Sequence, residues 1–172
     1  MNAMASNPNG ESDRSAIIQQ QESSLDRQLE WVRAVDSKTP IIIGLATAML
    51  AVTGALSPDP KSLTWATGLL MAIGSLPLIG SLCWCAAATF PHTEGPDGSL
   101  IYFGGISKRS SAKYTEAVST RTTEDYLQDL NAQCHRNAQI ATAKYRAVQR
   151  ALLWLFIATP AWLIACYLLY KG

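Results

Sequence analysis

The chain has 172 residues and a net charge of +1, because 14 Lys and Arg nearly balance 13 Asp and Glu. This balance says little about partners, and we expect no nucleic-acid polymer among them. Asp, Glu, Lys and Arg are absent from three segments, residues 39–58, 62–91 and 151–170, which leaves about 100 residues outside them. Because this remainder is divided into separate pieces, each piece is too short for an ordinary independent domain of about 100–150 residues. A full β-roll nucleotide-binding domain is therefore excluded.

The three uncharged segments contain 20, 30 and 20 residues. A helix of about 20 apolar residues crosses the hydrocarbon core of a bilayer, which is about 30 Å thick. The sequence therefore predicts an all-α integral membrane protein with three transmembrane helices in a lipid bilayer. We assign them to residues 39–58, 62–90 and 151–170.

The N-terminal region divides into two parts. Residues 1–21 contain few large apolar side chains, which predicts a disordered tail. Residues 22–38 predict a cytoplasmic helix before the first span, because Leu25, Leu29, Val32 and Val35 recur every three or four residues. Pro40 predicts a break between this helix and the first span.

The first two spans are predicted to form a tight antiparallel hairpin. Pro58 and Pro60 stop a helix and leave room only for a short external turn. Small residues in the first span, namely Gly44, Ala48, Ala51 and Ala55, permit close contact between helices. In the second span, Pro77 predicts a kink.

Residues 91–150 form the predicted cytoplasmic sensing segment and stalk. Residues 91–98 have the composition of a loop, residues 100–106 predict an extended or interfacial segment, and residues 107–118 predict a short helix. Thr122 is a candidate N-cap for a long helix, because acidic residues follow it directly. We expect this stalk helix to continue into the third span and to break only at Pro160.

The distribution of positive charge predicts the orientation. Of the 14 Lys and Arg, 12 lie before the first span or between the second and third. Because loops rich in Lys and Arg stay in the cytoplasm, the N-terminus and residues 92–150 are expected inside and the C-terminus outside.

Signatures of catalysis are absent from the sequence, which contains no Walker A loop, GxGxxG, HExxH or GxSxG motif. We therefore expect a protein that is not an enzyme, with no catalytic residues and no cofactor. Cys83 and Cys85 could suggest a metal pair, but no second pair accompanies them, so no metal site is predicted. His92 and His135 are interpreted as surface histidines.

Two groups of residues near the membrane have two possible interpretations each. Arg33, Asp36 and Lys38 either extend towards the interface as charges at a helix end or face a ligand or a partner helix. Lys144 and Tyr145 either anchor the stalk at the interface or contact a nucleotide, the cation at phosphate and the ring at a base.

Three short stretches resemble the membrane-type Pycsar effectors. The first is Leu29–Lys38, which runs directly into an apolar span and has Val35 where that family typically has alanine. The second is Gln133–Tyr145 before the last span, and Tyr102–Gly104 lies between them. The resemblance covers about residues 25–170 and includes the expected order of the spans.

This resemblance implies a function in antiviral defence. In such a bacterial antiphage system, a separate pyrimidine nucleotide cyclase makes cyclic CMP or cyclic UMP on infection. The effector responds to this second messenger and impairs the inner membrane, so that the cell dies before phage mature, which is abortive infection.

The residues that contact the nucleotide are a hypothesis drawn from placement near the membrane rather than from the family. We predict a site between the helix before the first span and the stalk, formed by Trp31, Arg33, Asp36, Lys38, Lys144 and Tyr145. A single unit of three helices encloses no pore, so a homo-oligomer is expected. Two alternatives remain open: a holin-like or toxin-like membrane protein that acts without a ligand, and a scaffold subunit of a membrane complex.

Overall fold

The computed structural model describes residues 8–59, 61, 64–90 and 95–171. Within these residues there are six α-helices and no strand. The helices are α1 (Pro8–Asp36), α2 (Thr39–Ala55), α3 (Trp65–Thr89), α4 (Phe103–Ser107), α5 (Ser111–Ser119) and α6 (Thr123–Lys171). Three helical stretches are long and apolar enough to cross a membrane: Ser12–Ala55, Trp65–Thr89 and Thr123–Lys171. The predicted all-α membrane fold with three spans is confirmed.

The chain divides into two compact units. The first, which we call the polar unit, consists of described residues within 1–32 and 92–141. The second, which we call the apolar unit, consists of described residues within 33–91 and 142–172, and includes the three uncharged segments.

In the apolar unit, small and aliphatic side chains form the core. Its buried members include Ile42 and Ala46 of α2, Leu78 of α3, and Ala151 and Ala158 of α6. Small residues allow helix backbones to approach closely. Close packing stabilises helix contacts in lipid, where an apolar side chain gains little free energy by exchanging contact with acyl chains for contact with another apolar side chain. The helices α2 and α3 pack against each other, as a hairpin requires.

Polar contacts made by two side chains add specificity to this core. The Ser81 hydroxyl donates a hydrogen bond of 2.8 Å to the carbonyl oxygen of Ala151. The indole nitrogen of Trp162 lies 2.9 Å from both the carbonyl oxygen of Met49 and the hydroxyl of Thr53. Hydrogen bonds of this kind join transmembrane helices in a defined register.

The small residues singled out in the first span do not form this core. Gly44, Ala48, Ala51 and Ala55 are all exposed, while the buried face of α2 carries Ile42, Ala46, Met49 and Thr53. The exposed small-residue face therefore remains available for contact between copies of the chain.

The prolines interrupt the helices less than predicted. The break between α1 and α2 lies at Ser37 and Lys38, as expected. However, α6 continues through Pro160 to Lys171, so the predicted break there is wrong. A proline removes one backbone hydrogen bond, and in an apolar environment the remaining bonds of the helix hold it together.

In the polar unit, α1 begins at Pro8, earlier than the pattern of apolar residues predicts. Residues 8–21, expected to be disordered, are helical here, while residues 1–7 lie outside the described residues. Two tertiary contacts with α6 lie where this added stretch joins the predicted helix: the Tyr126 hydroxyl donates to a Glu22 carboxylate oxygen at 2.6 Å, and the Cys134 thiol donates to the Gln21 carbonyl at 3.6 Å. Burial raises the pKa of the Cys134 thiol, which therefore stays protonated in this contact.

The segment before α6 also differs from expectation. Residues 100–106 were expected to form an extended or interfacial segment, but they include most of α4, so the extended alternative is wrong. The short helix predicted at residues 107–118 is present as α5 (Ser111–Ser119), which begins four residues later than predicted. The predicted cap of α6 is correct, since the Thr122 hydroxyl accepts a hydrogen bond from the Asp125 backbone nitrogen at 3.1 Å. The Asp125 carboxylate accepts in return from Thr122, which lowers the pKa of Asp125. In the loop predicted at residues 91–98, residues 91–94, which include His92, lie outside the described residues.

Candidate functional site

Of the six residues predicted to contact a ligand, the structure brings two together. Asp36 is the last residue of α1, and Lys144 lies on α6. The Lys144 ammonium donates to both carboxylate oxygens of Asp36, at 2.6 and 2.8 Å. The Lys144 side chain is only 12% exposed, whereas that of Asp36 is 44% exposed. Within the apolar unit, this ion pair joins the last residue of α1 to α6.

The other four predicted residues are exposed. Lys38 is the residue before α2 and makes no side-chain capping bond. Arg33, Lys38 and Tyr145 have no side-chain partner among the described residues. Trp31 belongs to the polar unit, where its ring is exposed. Whether any of the six contacts a nucleotide stays a prediction.

The chemistry of the ion pair limits what Lys144 can do in this state. Its ammonium is already paired with the Asp36 carboxylate, so a phosphate that binds Lys144 would have to displace Asp36. A charge that is nearly buried retains its partner strongly, because an unpaired buried cation is unfavourable. The geometry is therefore that of a closed contact rather than of an open anion site.

The polar unit contains a feature that the sequence reasoning missed. A cavity of about 880 Å³ opens between the α4 region and one face of α6. We call it the basic cavity. The side chains that give it its character are Phe103, Ser107, Lys108, His135, Arg136 and Gln139. Asp97 supplies the carboxylate in its lining.

The α6 wall of the basic cavity follows from helical spacing. Ala132, His135, Arg136 and Gln139 are related by steps of three and four, so they share one face. Gln139 connects two of them: its amide oxygen accepts from Arg136 at 3.3 Å, and its amide nitrogen lies 3.0 Å from the His135 Nε2. These bonds order the side chains of the wall before any ligand binds.

The opposite wall is held by its own loop. Ser99 is buried, and its hydroxyl accepts hydrogen bonds from the backbone nitrogens of Ile101 and Tyr102 at 3.2 and 2.9 Å. The Arg109 guanidinium donates to the carbonyl oxygen of Gly98 at 2.7 Å, and Gly98 has the left-handed φ of 73° that favours glycine. The loop is thus fixed at several points.

Asp129 ties this loop to α6 within the polar unit. Its carboxylate accepts from the Leu100 backbone nitrogen at 2.8 Å and from the Arg121 guanidinium at 2.7 Å. Both charged side chains are largely buried, at 11% and 12% exposure. Arg121 also lies over the Tyr126 ring, 4.8 Å from its centre. A charged hydrogen bond of this kind holds the loop more firmly than a neutral one.

The sequence offers one signal for the basic cavity. His135, Arg136 and Gln139 fall on one face of the predicted stalk helix, but Phe103 and Lys108 of the opposite wall lie about 30 residues earlier in the chain. That earlier segment contains α4, which was not predicted. Among the described residues, no group of His, Cys, Asp and Glu has the arrangement needed to hold a metal ion.

Comparison with known protein families identifies the family of this chain. The family model described as the Pycsar effector protein domain matches residues 20–171, which is nearly the whole chain. Comparisons with curated proteins and with solved structures gave no match.

Proposed function

Because this chain belongs to the Pycsar effector protein family, whose members act in antiphage defence, we propose that it senses a cyclic pyrimidine nucleotide and damages the membrane in response. The nucleotide, cyclic CMP or cyclic UMP, is made by a partner cyclase during infection. Damage to the bacterial inner membrane then produces abortive infection. The effector catalyses no reaction in this scheme.

The observation that carries the proposal is the continuity of α6. Its 49 residues run without interruption from Thr123 to Lys171. Residues 123–141 belong to the polar unit, and residues 142–171 belong to the apolar unit and include the third uncharged segment. In this scheme, the helix shared by a polar surface and a membrane span transmits a displacement from one to the other.

The energy available from the ligand limits this scheme. A ligand shifts a two-state equilibrium only by the difference between its affinities for the two states. A change from 1:99 to 99:1 needs a difference of about 5.5 kcal/mol. Several sites in an oligomer can share this requirement, which favours the expected homo-oligomer.

The geometry of the spans also supports the proposed oligomer. Three helices enclose no pore, and the exposed face of Gly44, Ala48, Ala51 and Ala55 is suited to close contact with a second copy. Chemical crosslinking in membranes that contain the nucleotide should give products larger than the monomer. Monomer alone under these conditions would contradict the proposal.

The proposed orientation places the N-terminus and residues 92–150 in the cytoplasm and the C-terminus in the periplasm, as the 12-to-2 distribution of Lys and Arg favours. A reporter that is active only in the periplasm should give activity when fused to the C-terminus. Activity from a fusion in the loop near Gly98 instead would reverse the orientation.

Reconstitution tests the function without other cellular components. The purified protein is inserted into liposomes that contain a self-quenched dye, and cyclic CMP, cyclic UMP or cyclic AMP is added. We expect dye release with a cyclic pyrimidine nucleotide and none with the cyclic purine nucleotide or without ligand. Equal release without ligand would favour a holin-like protein, and absence of release under all conditions would favour a scaffold subunit.

A further inference from the structure

The basic cavity has features that match the chemistry of a nucleotide. It lies wholly within the polar unit, between α4 with its following residue Lys108 and one face of α6. We infer that this cavity, rather than the residues around the Asp36–Lys144 ion pair, is where the cyclic pyrimidine nucleotide binds. The inference rests on the function proposed above and assigns the site within it.

The charge of the cavity matches the charge of the ligand. Lys108 and Arg136 contribute two positive charges and Asp97 one negative charge, so the lining has a formal net charge of +1 when His135 is neutral. The phosphate of a cyclic nucleotide is a diester and carries one negative charge. Arg and Lys donate charge-assisted hydrogen bonds to phosphate oxygens, which are stronger than neutral ones.

Lys108 is the more available of the two cations. It is exposed, and its side chain has no partner among the described residues. Arg136 is ordered by its contact with Gln139. In contrast with Lys144, whose ammonium is held by the Asp36 carboxylate, Lys108 can bind an anion without breaking an existing ion pair. This difference favours the basic cavity over the predicted membrane-side site.

Phe103 supplies a surface for the base. Its side chain is 61% exposed although it lines a cavity whose other principal side chains are polar. The neighbouring ring of Tyr102 is buried, with its centre 4.5 Å from that of Phe103, and it supports Phe103 from one side. An aromatic side chain that stacks on a base contributes about 1–3 kcal/mol.

The backbone around Phe103 packs closely against the loop that precedes it. A Cβ at Gly95 would collide with the Tyr102 ring, and a Cβ at Gly105 would collide with the carbonyl oxygen of Ser99. These close approaches hold the loop and α4 together. Preorganisation of this kind reduces the entropy lost on binding.

Size and hydrogen-bonding capacity are also suitable. The volume of about 880 Å³ falls within the range of about 300–1,000 Å³ typical of sites for small molecules. The Asp97 carboxylate is an acceptor of the type that binds ribose hydroxyl groups. The cavity thus offers a group for each part of the ligand: cations for phosphate, an acceptor for ribose and a ring for the base.

Equilibrium binding with the full chain tests the assignment. The protein is placed in lipid nanodiscs, and binding of radiolabelled cyclic CMP and cyclic UMP is measured. The site variants are Lys108→Gln, Lys108→Arg and Phe103→Leu. The matched control is Lys113→Gln, which removes the same charge from an exposed residue of α5 that does not line the cavity. Lys38→Gln represents the membrane-side site.

We expect Lys108→Gln to raise the Kd about tenfold, the loss of one charge-assisted hydrogen bond, and Phe103→Leu to raise it about fivefold or more. Lys108→Arg should retain most of the affinity, and Lys113→Gln and Lys38→Gln should bind like the parent. Gel filtration and helical circular dichroism check that each variant is folded.

The outcomes separate this inference from the function on which it rests. If the parent binds a cyclic pyrimidine nucleotide and Lys108→Gln and Phe103→Leu bind equally well, only the site is wrong. Loss of affinity in Lys38→Gln alone would place the ligand at the membrane-side residues, and an equal loss in Lys113→Gln would show a general effect of charge. If the parent binds neither nucleotide, the proposed function fails as well.

Discussion

The Asp36–Lys144 ion pair leads to an asymmetric prediction, because its two side chains are buried to different extents. Lys144 is 12% exposed and donates two hydrogen bonds of 2.6 and 2.8 Å, whereas Asp36 is 44% exposed. Asp36→Ala would leave a nearly buried cation without a partner, which should cost about 2–3 kcal/mol, somewhat less than for a fully buried pair. Lys144→Ala would leave a carboxylate that water can reach, and should cost about 1 kcal/mol.

The assay is a double-mutant cycle on the free energy of unfolding, obtained by titration with SDS in mixed micelles without nucleotide. The four proteins are the parent, the two single variants and the double variant. We expect the double variant to lose less free energy of unfolding than the two single variants lose in sum, and the difference, the coupling energy, should be about 1 kcal/mol. Lys38→Ala is the control and should change stability by less than about 0.5 kcal/mol, since its side chain has no partner among the described residues.

Two results would refute this reasoning. A coupling energy of zero would show that the ion pair contributes nothing to the fold. A larger loss of stability for Lys144→Ala than for Asp36→Ala would show that Asp36, rather than Lys144, depends on the pair.

Three further predictions concern contacts within one unit or the other. Asp129→Ala should destabilise the polar unit by about 3 kcal/mol, because it removes the hydrogen-bond acceptor of the Leu100 amide and of the Arg121 guanidinium. Hydrogen exchange at the Leu100 amide should become much faster, and unchanged protection of this amide would contradict the role of Asp129. The hydrogen bond to Glu22 is the main cause of the raised pKa of Tyr126, whose ordinary value is 10.0. The stability that this bond contributes is therefore fully present below pH 10.0 and is lost as the pH rises through the raised pKa of the folded protein. Stability measured up to about pH 11 should therefore fall less in Tyr126→Phe than in the parent, and equal losses would count against the bond. Trp162→Phe should cost about 0.6–1.7 kcal/mol in mixed micelles through loss of the indole donor to α2, and no measurable cost would argue against that contact.

The membrane part of the fold could be predicted because a single physical requirement determines it. A segment without charges that is long enough to cross a bilayer forms a helix, since no other local structure satisfies its backbone there. The three spans, the break before Thr39 and the cap at Thr122 were all accessible in this way. The continuation of α6 through Pro160 was not, because the effect of one proline depends on the surrounding bonds rather than on the residue itself.

The polar unit was harder to predict because tertiary contacts determine it. The apolar pattern carries no signal for the early start of α1, and the contact of Glu22 with Tyr126, where the added stretch joins the predicted helix, involves a residue more than 100 positions away. The turn into α4 depends on the buried hydroxyl of Ser99, which accepts two backbone bonds that no periodic pattern reveals. The candidate site follows the same division. Asp36 and Lys144, which form the ion pair, were both among the residues predicted from the sequence. The basic cavity could not be predicted from residue spacing, because its second wall depends on the fold of α4.

The central claim is that a cyclic pyrimidine nucleotide converts this protein from a harmless state to one that permeabilises the membrane. The most direct measurement is uptake of a membrane-impermeant dye by bacteria that express the protein together with either an active pyrimidine cyclase or the same cyclase inactivated in its catalytic site. We predict rapid uptake with the active cyclase and intact membranes with the inactive one, at equal levels of the protein. Equal uptake with both cyclases, or no uptake with either while the protein is present in the membrane, would contradict the account.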